Sequence, residues 1–205
     1  DGSSWSVITG ATGSRVIALA VIGTDLYVGA YNWAGTGVTE PVIPIAKWDG
    51  TSWSQLGTEM LGTVRALAAI GSDLYVAGEF SLSSGTGPGN YIAKWNGSSW
   101  SQLGTGTNDT VYALAVLGGE LYASGSFTQA GGVSANGIAK WNGSSWSALG
   151  TGTHNGIEGA GLALAGIGTD LYVGGGLTRA GDIFVSRIAK WNGSSWSQLG
   201  TGTND

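Results

Sequence analysis

The sequence predicts an all-β protein, a β-propeller with four-stranded antiparallel blades. The prediction rests on internal repetition, a period of two within each repeat, and hairpin turn signals between the strands. Three markers recur in fixed order along the 205 residues, namely a Leu-Tyr pair, the tetrapeptide Ile-Ala-Lys-Trp and a second Trp shortly after it. The second Trp recurs about every 50 residues, at Trp5, Trp53, Trp100, Trp146 and Trp196.

Each repeat reads as four short strands, here called A to D from the central channel to the rim. In the third repeat these are "VYALAVLG" at Val111, "ELYASGSF" at Glu120, "NGIAKW" at Asn136 and "SSWSALG" at Ser144. Apolar residues alternate with a period of two, and Asn-Gly or Asp-Gly between C and D is a strong hairpin signal. A β-solenoid fits less well, because its coils are shorter and do not carry three hairpins each.

The repeats span approximately residues 9–56, 57–103, 104–149 and 150–199, and residues 1–8 carry one extra outer strand from a neighbouring or closing blade. Five D strands therefore accompany only four A–B–C sets. We expect the chain, residues 1–205, to be one propeller domain or part of a longer array with more than four blades. The alternative is a four-bladed ring in which one unpaired D strand promotes self-association.

Composition narrows the function classes. The chain has 39 Gly, no Cys and a net charge of -5, and its four Lys occupy one equivalent position in the repeats. We therefore expect no basic patch, no nucleic-acid partner, no membrane span and no thiolate metal site. Motifs for serine hydrolases, zinc proteases and phosphate-binding loops are absent, so the sequence predicts no enzyme, no cofactor and no metal.

A resemblance appears at "LYVGG" from Leu171 to Gly175 and at "SGSFTQAGGVSANGIAKWNGSSWSALG" in the third repeat. These residues resemble Kelch and galactose-oxidase type propeller repeats, and most closely those of the fungal cortical polarity marker and related bacterial secreted surface proteins. The resemblance covers nearly the whole chain and implies the fold, with an extracellular or cell-surface location. It implies hardly anything about activity, since those repeats are mostly scaffolds.

The B–C and D–A loops vary between repeats, whereas the A–B and C–D turns are nearly identical. Since strands alternate in direction, the variable loops share one face, and loops on a rigid scaffold are where binding usually occurs. An alternative is that Trp33 and Phe184 fold back over the core, and that the lone His is an ordinary surface residue. The candidate binding residues are Tyr31, Trp33, Glu40, Glu79, His154, Glu158, Arg179, Asp182 and Phe184.

The repeated Trp residues favour a structural role, since a Trp at a fixed blade position is typical of the core between blades. The Lys stems are expected to lie over these rings with some cation–π character. The predicted repeat core consists of Trp5, Trp48, Trp53, Trp95, Trp100, Trp141, Trp146, Trp191 and Trp196.

Two functions from different classes remain open on the sequence alone. One is a non-catalytic secreted or surface scaffold that binds or displays through the variable face, with a protein or glycan ligand. The other is a multivalent carbohydrate-binding module, a lectin that stacks sugars on the repeated Trp rings. Recent amplification of the repeats also explains their near-identity without a selected function in each blade.

Overall fold

The computed structural model describes residues 15–31, 44–57, 60–82 and 91–203. Four four-stranded antiparallel sheets follow one another along this part of the chain. The first contains β1 (Val16–Ile22), β2 (Asp25–Ala30), β3 (Ile45–Trp48) and β4 (Trp53–Gln55). The second contains β5 (Met60–Ile70), β6 (Asp73–Leu82), β7 (Ile92–Trp95) and β8 (Trp100–Gln102).

The last two sheets have the same strand order and enclose short additional strands. The third sheet contains β9 (Val111–Leu117), β10 (Glu120–Gly125), β13 (Ile138–Trp141) and β14 (Trp146–Ala148), with the hairpin β11 (Gln129–Ala130) and β12 (Val133–Ser134) inserted after β10. A 3-10 turn (Gly152–His154) and β15 (Ile157–Glu158) precede the fourth sheet. That sheet contains β16 (Gly161–Ile167), β17 (Asp170–Gly175), β20 (Ile188–Trp191) and β21 (Trp196–Gln198), with the hairpin β18 (Arg179–Ala180) and β19 (Ile183–Phe184) inserted.

The A–B–C–D order predicted from the sequence is the order in all four sheets. The result is a repeated all-β, β-propeller-like fold. Residues 1–8, predicted as an extra outer strand, lie outside the described residues, and the number of blades and the closure of a ring stay predictions.

The C–D turns show why the Asn-Gly signal works. Gly143 has φ +99°, a left-handed conformation that Gly adopts without a steric penalty. The side chain of Asn142 accepts hydrogen bonds from the backbone N–H groups of Ser144 and Ser145, each at 2.9 Å. The turn therefore sets the register in which Trp141 faces Trp146.

Consecutive sheets pack face to face, with their inner strands β1, β5, β9 and β16 in contact in that order. Adjacent residues of a strand point to opposite faces of its sheet, so the Leu and the Tyr of each Leu-Tyr pair face different neighbouring sheets. Each junction between consecutive sheets therefore contains the Tyr of one sheet and the Leu of the next. Tyr75 is 5% exposed and belongs to the same buried cluster as Leu121 of the next sheet, and Tyr122 shares a cluster with Leu171 in the same way. We call the Tyr side of each sheet its forward face and the Leu side its backward face.

The Lys ammonium groups form ion pairs within their own sheets, and the packing of the Lys stems over the Trp rings stays a prediction. The Lys94 ammonium lies 2.9 Å from Asp73, at the start of strand B of the same sheet. The hydrogen bond to Asp73 raises the pKa of Lys94 above its usual 10.5. Each of the other sheets has the same pair at 2.8–3.0 Å, namely Lys47–Asp25, Lys140–Glu120 and Lys190–Asp170.

Within the described residues no helix is long and apolar enough to cross a membrane.

Candidate functional site

The candidate site lies on the face that carries the variable loops, between the third and fourth sheets. β15 belongs to the D–A connection that enters the fourth sheet, and β18 belongs to the B–C connection within that sheet. The two pair in antiparallel fashion, Ile157 opposite Ala180 and Glu158 opposite Arg179. For this pair of connections, the prediction that B–C and D–A loops share a face is confirmed.

A cleft with a volume of about 560 Å³ opens at this place. One wall consists of residues 125–128 and 136–137 of the third sheet, and the other of residues 156–160 with Arg179 and Gly181. Three predicted binding residues line the cleft together, namely His154, Glu158 and Arg179. The sequence had placed them on two separate loops, and the β15–β18 pairing brings them together.

His154 and Asp182 connect the two loops. Nδ1 of His154 lies 2.9 Å from Oδ1 of Asp182, so Nδ1 donates to the carboxylate in the tautomer that carries a proton there. The His154 side chain is 42% exposed and that of Asp182 is 87% exposed. The contact therefore ties the 3-10 turn to the tip of the β18–β19 hairpin in a position open to water.

Arg179 is the most enclosed charged group of the site, with its side chain 22% exposed. Its guanidinium carbon lies 4.0 Å from the centroid of the Phe184 ring, a cation–π contact. Its Nε lies 3.9 Å from the Glu158 carboxylate, which also accepts a 3.4 Å hydrogen bond from the Thr178 hydroxyl. Arg179 is thus fixed in orientation while it faces the cleft.

Phe184 differs from the expectation that it folds back over the core. The residue is 71% exposed, the largest exposure among the large apolar residues of the described chain. The Arg179 guanidinium covers one face of its ring, which explains how an exposed aromatic keeps a defined position. The fold-back alternative is therefore wrong for Phe184, whereas Trp33 lies outside the described residues.

Backbone packing at the cleft requires glycine at particular places. Gly181 has φ +54°, and a Cβ there would lie 2.9 Å from Cδ1 of Trp196. The Gly181 N–H donates a 2.7 Å hydrogen bond to the carbonyl of Gly156. A Cβ at Gly156 would clash with the backbone of Asn136. These glycines let the hairpin lie directly on the Trp196 ring and so set the cleft wall.

Glu79 lies outside the cleft but belongs to a second polar group on the same face. Nη2 of Arg65 donates a 3.0 Å hydrogen bond to Glu79, and the Arg65 guanidinium lies 5.3 Å from the Tyr112 ring centroid. The Ser126 hydroxyl donates to the Tyr112 hydroxyl at 3.1 Å, and Ser126 lines the cleft. Sequence reasoning missed Arg65, Tyr112 and Ser126.

A repeat alignment contains the signal that could have found these residues. Arg65 and Tyr112 occupy the same position of strand A, and Glu79 and Ser126 occupy the same position of the repeat, each directly after a Gly that follows the Leu-Tyr pair. Tyr31 is the counterpart of Glu79 in the first sheet and is 40% exposed. Of the remaining candidates, Trp33 and Glu40 lie outside the described residues.

The Trp residues form contacts within and between sheets. In each sheet the C-strand and D-strand indoles are tilted against each other at 5.1–5.4 Å. Trp5 lies outside the described residues. The D-strand indole N–H donates a 2.8 Å hydrogen bond to a Leu carbonyl of the preceding sheet in three cases, Trp100 to Leu56, Trp146 to Leu103 and Trp196 to Leu149.

Comparison with known proteins supports the fold alone. No protein-family model matches the sequence, and no curated protein matches it. Among solved structures, the computationally designed Ika4 protein is 17% identical with a TM-score of 0.53, over 90% of this chain and 94% of that one. YjhT is 17% identical with a TM-score of 0.55, over 91% of this chain and 65% of that one, so this chain spans just under two thirds of YjhT. The structural neighbours have β-propeller-like folds.

Proposed function

We propose that this chain is a non-catalytic binding scaffold that holds a peptide or glycan ligand in the cleft between its third and fourth sheets. The observation that carries the proposal is the convergence of His154, Glu158 and Arg179 on one cleft of about 560 Å³. That volume lies in the range of small-ligand sites. Residues from three separate stretches of a rigid sheet scaffold meet there, as binding sites on loops commonly require.

The chemistry of the cleft suits a polar ligand with both donors and acceptors. Arg179 offers fixed N–H donors, because Phe184 and Glu158 restrict its guanidinium. Glu158 is 63% exposed at its side chain and can accept from a hydroxyl or an amide. The exposed ring of Phe184 adds an apolar surface beside these groups.

A location outside the cell or on its surface is part of the proposal and is supported by the sequence resemblance described above. Fractionation of the source cells, followed by protease accessibility of the intact cells, tests this location. Recovery of the protein only from the cytosol would count against it.

Repeated Trp-based glycan sites are the second function left open by the sequence, and the geometry disfavours them. A lectin of that kind needs an exposed indole face for stacking, whereas Trp141, Trp146 and Trp191 are buried and the other repeat Trp residues that the structure describes are half-buried. The Trp146 N–H already donates to Leu103. Saturable quenching of Trp fluorescence by a sugar, unaffected by changes in the cleft, would restore this alternative.

The test of the cleft is a screen of peptide and glycan arrays with three proteins. These are the unchanged chain, Arg179→Met, and the control Arg15→Met at an exposed arginine directly before β1. We expect a ligand whose affinity falls at least about tenfold in Arg179→Met, since well-packed arginines are frequent binding hot spots. Arg15→Met should bind as the unchanged chain does. Equal loss in both variants, or no loss in either, contradicts binding in the cleft.

A further inference from the structure

The two end sheets of the described array expose opposite faces. On the forward face of the fourth sheet, Tyr172 is half-buried and Ile167 is 66% exposed. Their counterparts on the third sheet are enclosed by the fourth, with Tyr122 only 6% exposed and Leu117 half-buried. The difference comes from the neighbour, because the residue types at these positions are the same or similar.

The first sheet shows the complementary difference on its backward face. Leu19 is 59% exposed, whereas its counterparts Leu67 and Leu114 are half-buried. Leu26 is half-buried, whereas the same Leu of the Leu-Tyr pair is 0% exposed in every later sheet, as Leu74, Leu121 and Leu171 show.

These two faces are the separated halves of one junction that the chain repeats three times internally. In each internal junction the Tyr of one sheet and the Leu of the next belong to the same buried cluster, as Tyr27 with Leu74 illustrates. The fourth sheet offers that Tyr side and the first sheet offers that Leu side. Among the described strands, β1 and β16 do not pack on each other as consecutive inner strands do.

We propose that the forward face of the fourth sheet binds the backward face of the first sheet of a second copy of this chain. The interface is then a fourth repetition of the internal junction, with Tyr172 and Ile167 facing Leu19 and Leu26 of the other copy. A second copy is the occupant because its first sheet carries the shape that these faces already fit three times within the chain. This junction joins sheet faces, which distinguishes it from association through an unpaired strand.

The proposed contact joins two different surfaces, the forward face of one copy and the backward face of the other, so it is a head-to-tail interface. A head-to-tail interface closes into a ring or continues as a filament. Two chains joined by two such junctions form a closed pair, and more chains form a larger assembly.

Light scattering coupled to size-exclusion chromatography of the 205-residue chain tests the proposal. We expect a molar mass of at least twice 20.6 kDa that decreases on dilution. Ile167→Glu alone and Leu19→Glu alone should each be monomeric, because each places a charge in the proposed apolar contact between copies. The control Leu61→Glu, at a 62% exposed residue away from both end faces, should assemble normally.

Mixing the two single variants separates the proposed junction from general loss of structure. Ile167→Glu keeps an intact backward face and Leu19→Glu keeps an intact forward face. An equimolar mixture should therefore form a pair with one intact junction and a mass of twice 20.6 kDa, although neither variant associates alone. A monomeric unchanged chain at high concentration, or a mixture that stays monomeric, overturns the proposal.

Discussion

The indole Nε1 of Trp146 donates a 2.8 Å hydrogen bond to the backbone carbonyl of Leu103, which directly follows strand D (β8) of the preceding sheet. The Leu103 carbonyl also accepts a 3.1 Å hydrogen bond from Gly106, in the loop that leads into the third sheet. One side chain thus joins the rims of two sheets at the point where the chain passes between them. This explains why the second Trp of the repeat keeps its position while neighbouring loops vary.

Replacement of Trp146 by Phe should destabilise the fold by about 2 kcal/mol, because the inter-sheet hydrogen bond and part of a buried ring are lost together. The residue is 5% exposed, so little of this loss is compensated by solvent. Urea unfolding with a constant m value measures the change. The exposed neighbour Ser147, replaced by Ala, should change stability by less than about 0.5 kcal/mol and serves as the control.

Gly131 and Gly132 form a matched pair of substitution sites in the β11–β12 hairpin. Both have a left-handed backbone, with φ +60° and +79°. A Cβ at Gly131 would lie 2.6 Å from Cδ1 of Trp146, whereas a Cβ at Gly132 meets nothing within 4 Å. Gly132→Ala should therefore lower the free energy of unfolding by about 1 kcal/mol, because of backbone strain alone. Gly131→Ala should lower it by about 2 kcal/mol more, because the new Cβ also clashes with the indole ring.

Thermal unfolding of both variants measures the difference. Equal destabilisation would show that the hairpin does not lie on the Trp146 ring. The double variant with Trp146→Phe adds a second check. If the clash explains the excess cost of Gly131→Ala, that excess should change when the ring changes, since residues in contact are not additive.

Strand order and turn positions follow from the sequence because they depend on local periodicity and on Asn-Gly geometry. The predicted turn at Asn142 is present, for example, because its side chain bonds the next two backbone N–H groups. The partner of Lys94 did not follow, since Asp73 lies 21 residues away and only the register of strands B and C brings them together. The sequence likewise did not decide between an exposed Phe184 and the fold-back alternative, because the contact that holds the ring comes from Arg179 on the paired strand.

Stability should fall above about pH 10, where tyrosine and lysine titrate in unfolded chains. Burial raises the pKa of Tyr75, so the unfolded chain loses this proton first and the folded state loses stability as the pH rises. The hydrogen bond to Asp73 raises the pKa of Lys94. The stability that this pair contributes is therefore complete below pH 10.5 and is lost as the pH rises through the folded-state pKa of Lys94. Both groups therefore act in the same direction.

Tyr75→Phe should flatten this alkaline loss, because the phenol that titrates is removed while the buried ring stays. Chemical unfolding at about pH 9 and about pH 11 measures the slope. Tyr31→Phe, which removes a phenol from a tyrosine that is 40% exposed, is the matched control. An equally steep loss in Tyr75→Phe and the unchanged chain would contradict a role for the buried phenol.

At low pH the first C–D turn should behave differently from the other three. Oδ1 of Asp49 accepts hydrogen bonds from the Thr51 hydroxyl at 2.7 Å and from the Thr51 and Ser52 N–H groups at 2.8 Å each. The Thr51 hydroxyl, followed by these N–H groups, lowers the pKa of Asp49 well below its usual 3.8. The stability from these bonds is therefore present above that value and is lost as the pH falls toward the folded-state pKa.

Asp49→Asn should keep the turn, as Asn142 does in the third sheet, and should reduce the loss of stability between about pH 4 and about pH 2. The reciprocal change Asn142→Asp should add an acid-dependent loss of stability at the C–D turn of the third sheet, because it replaces an amide by a carboxylate that titrates. If thermal unfolding across this range shows the same acid dependence in all three proteins, the Asp49 hydrogen bonds do not stabilise the folded state.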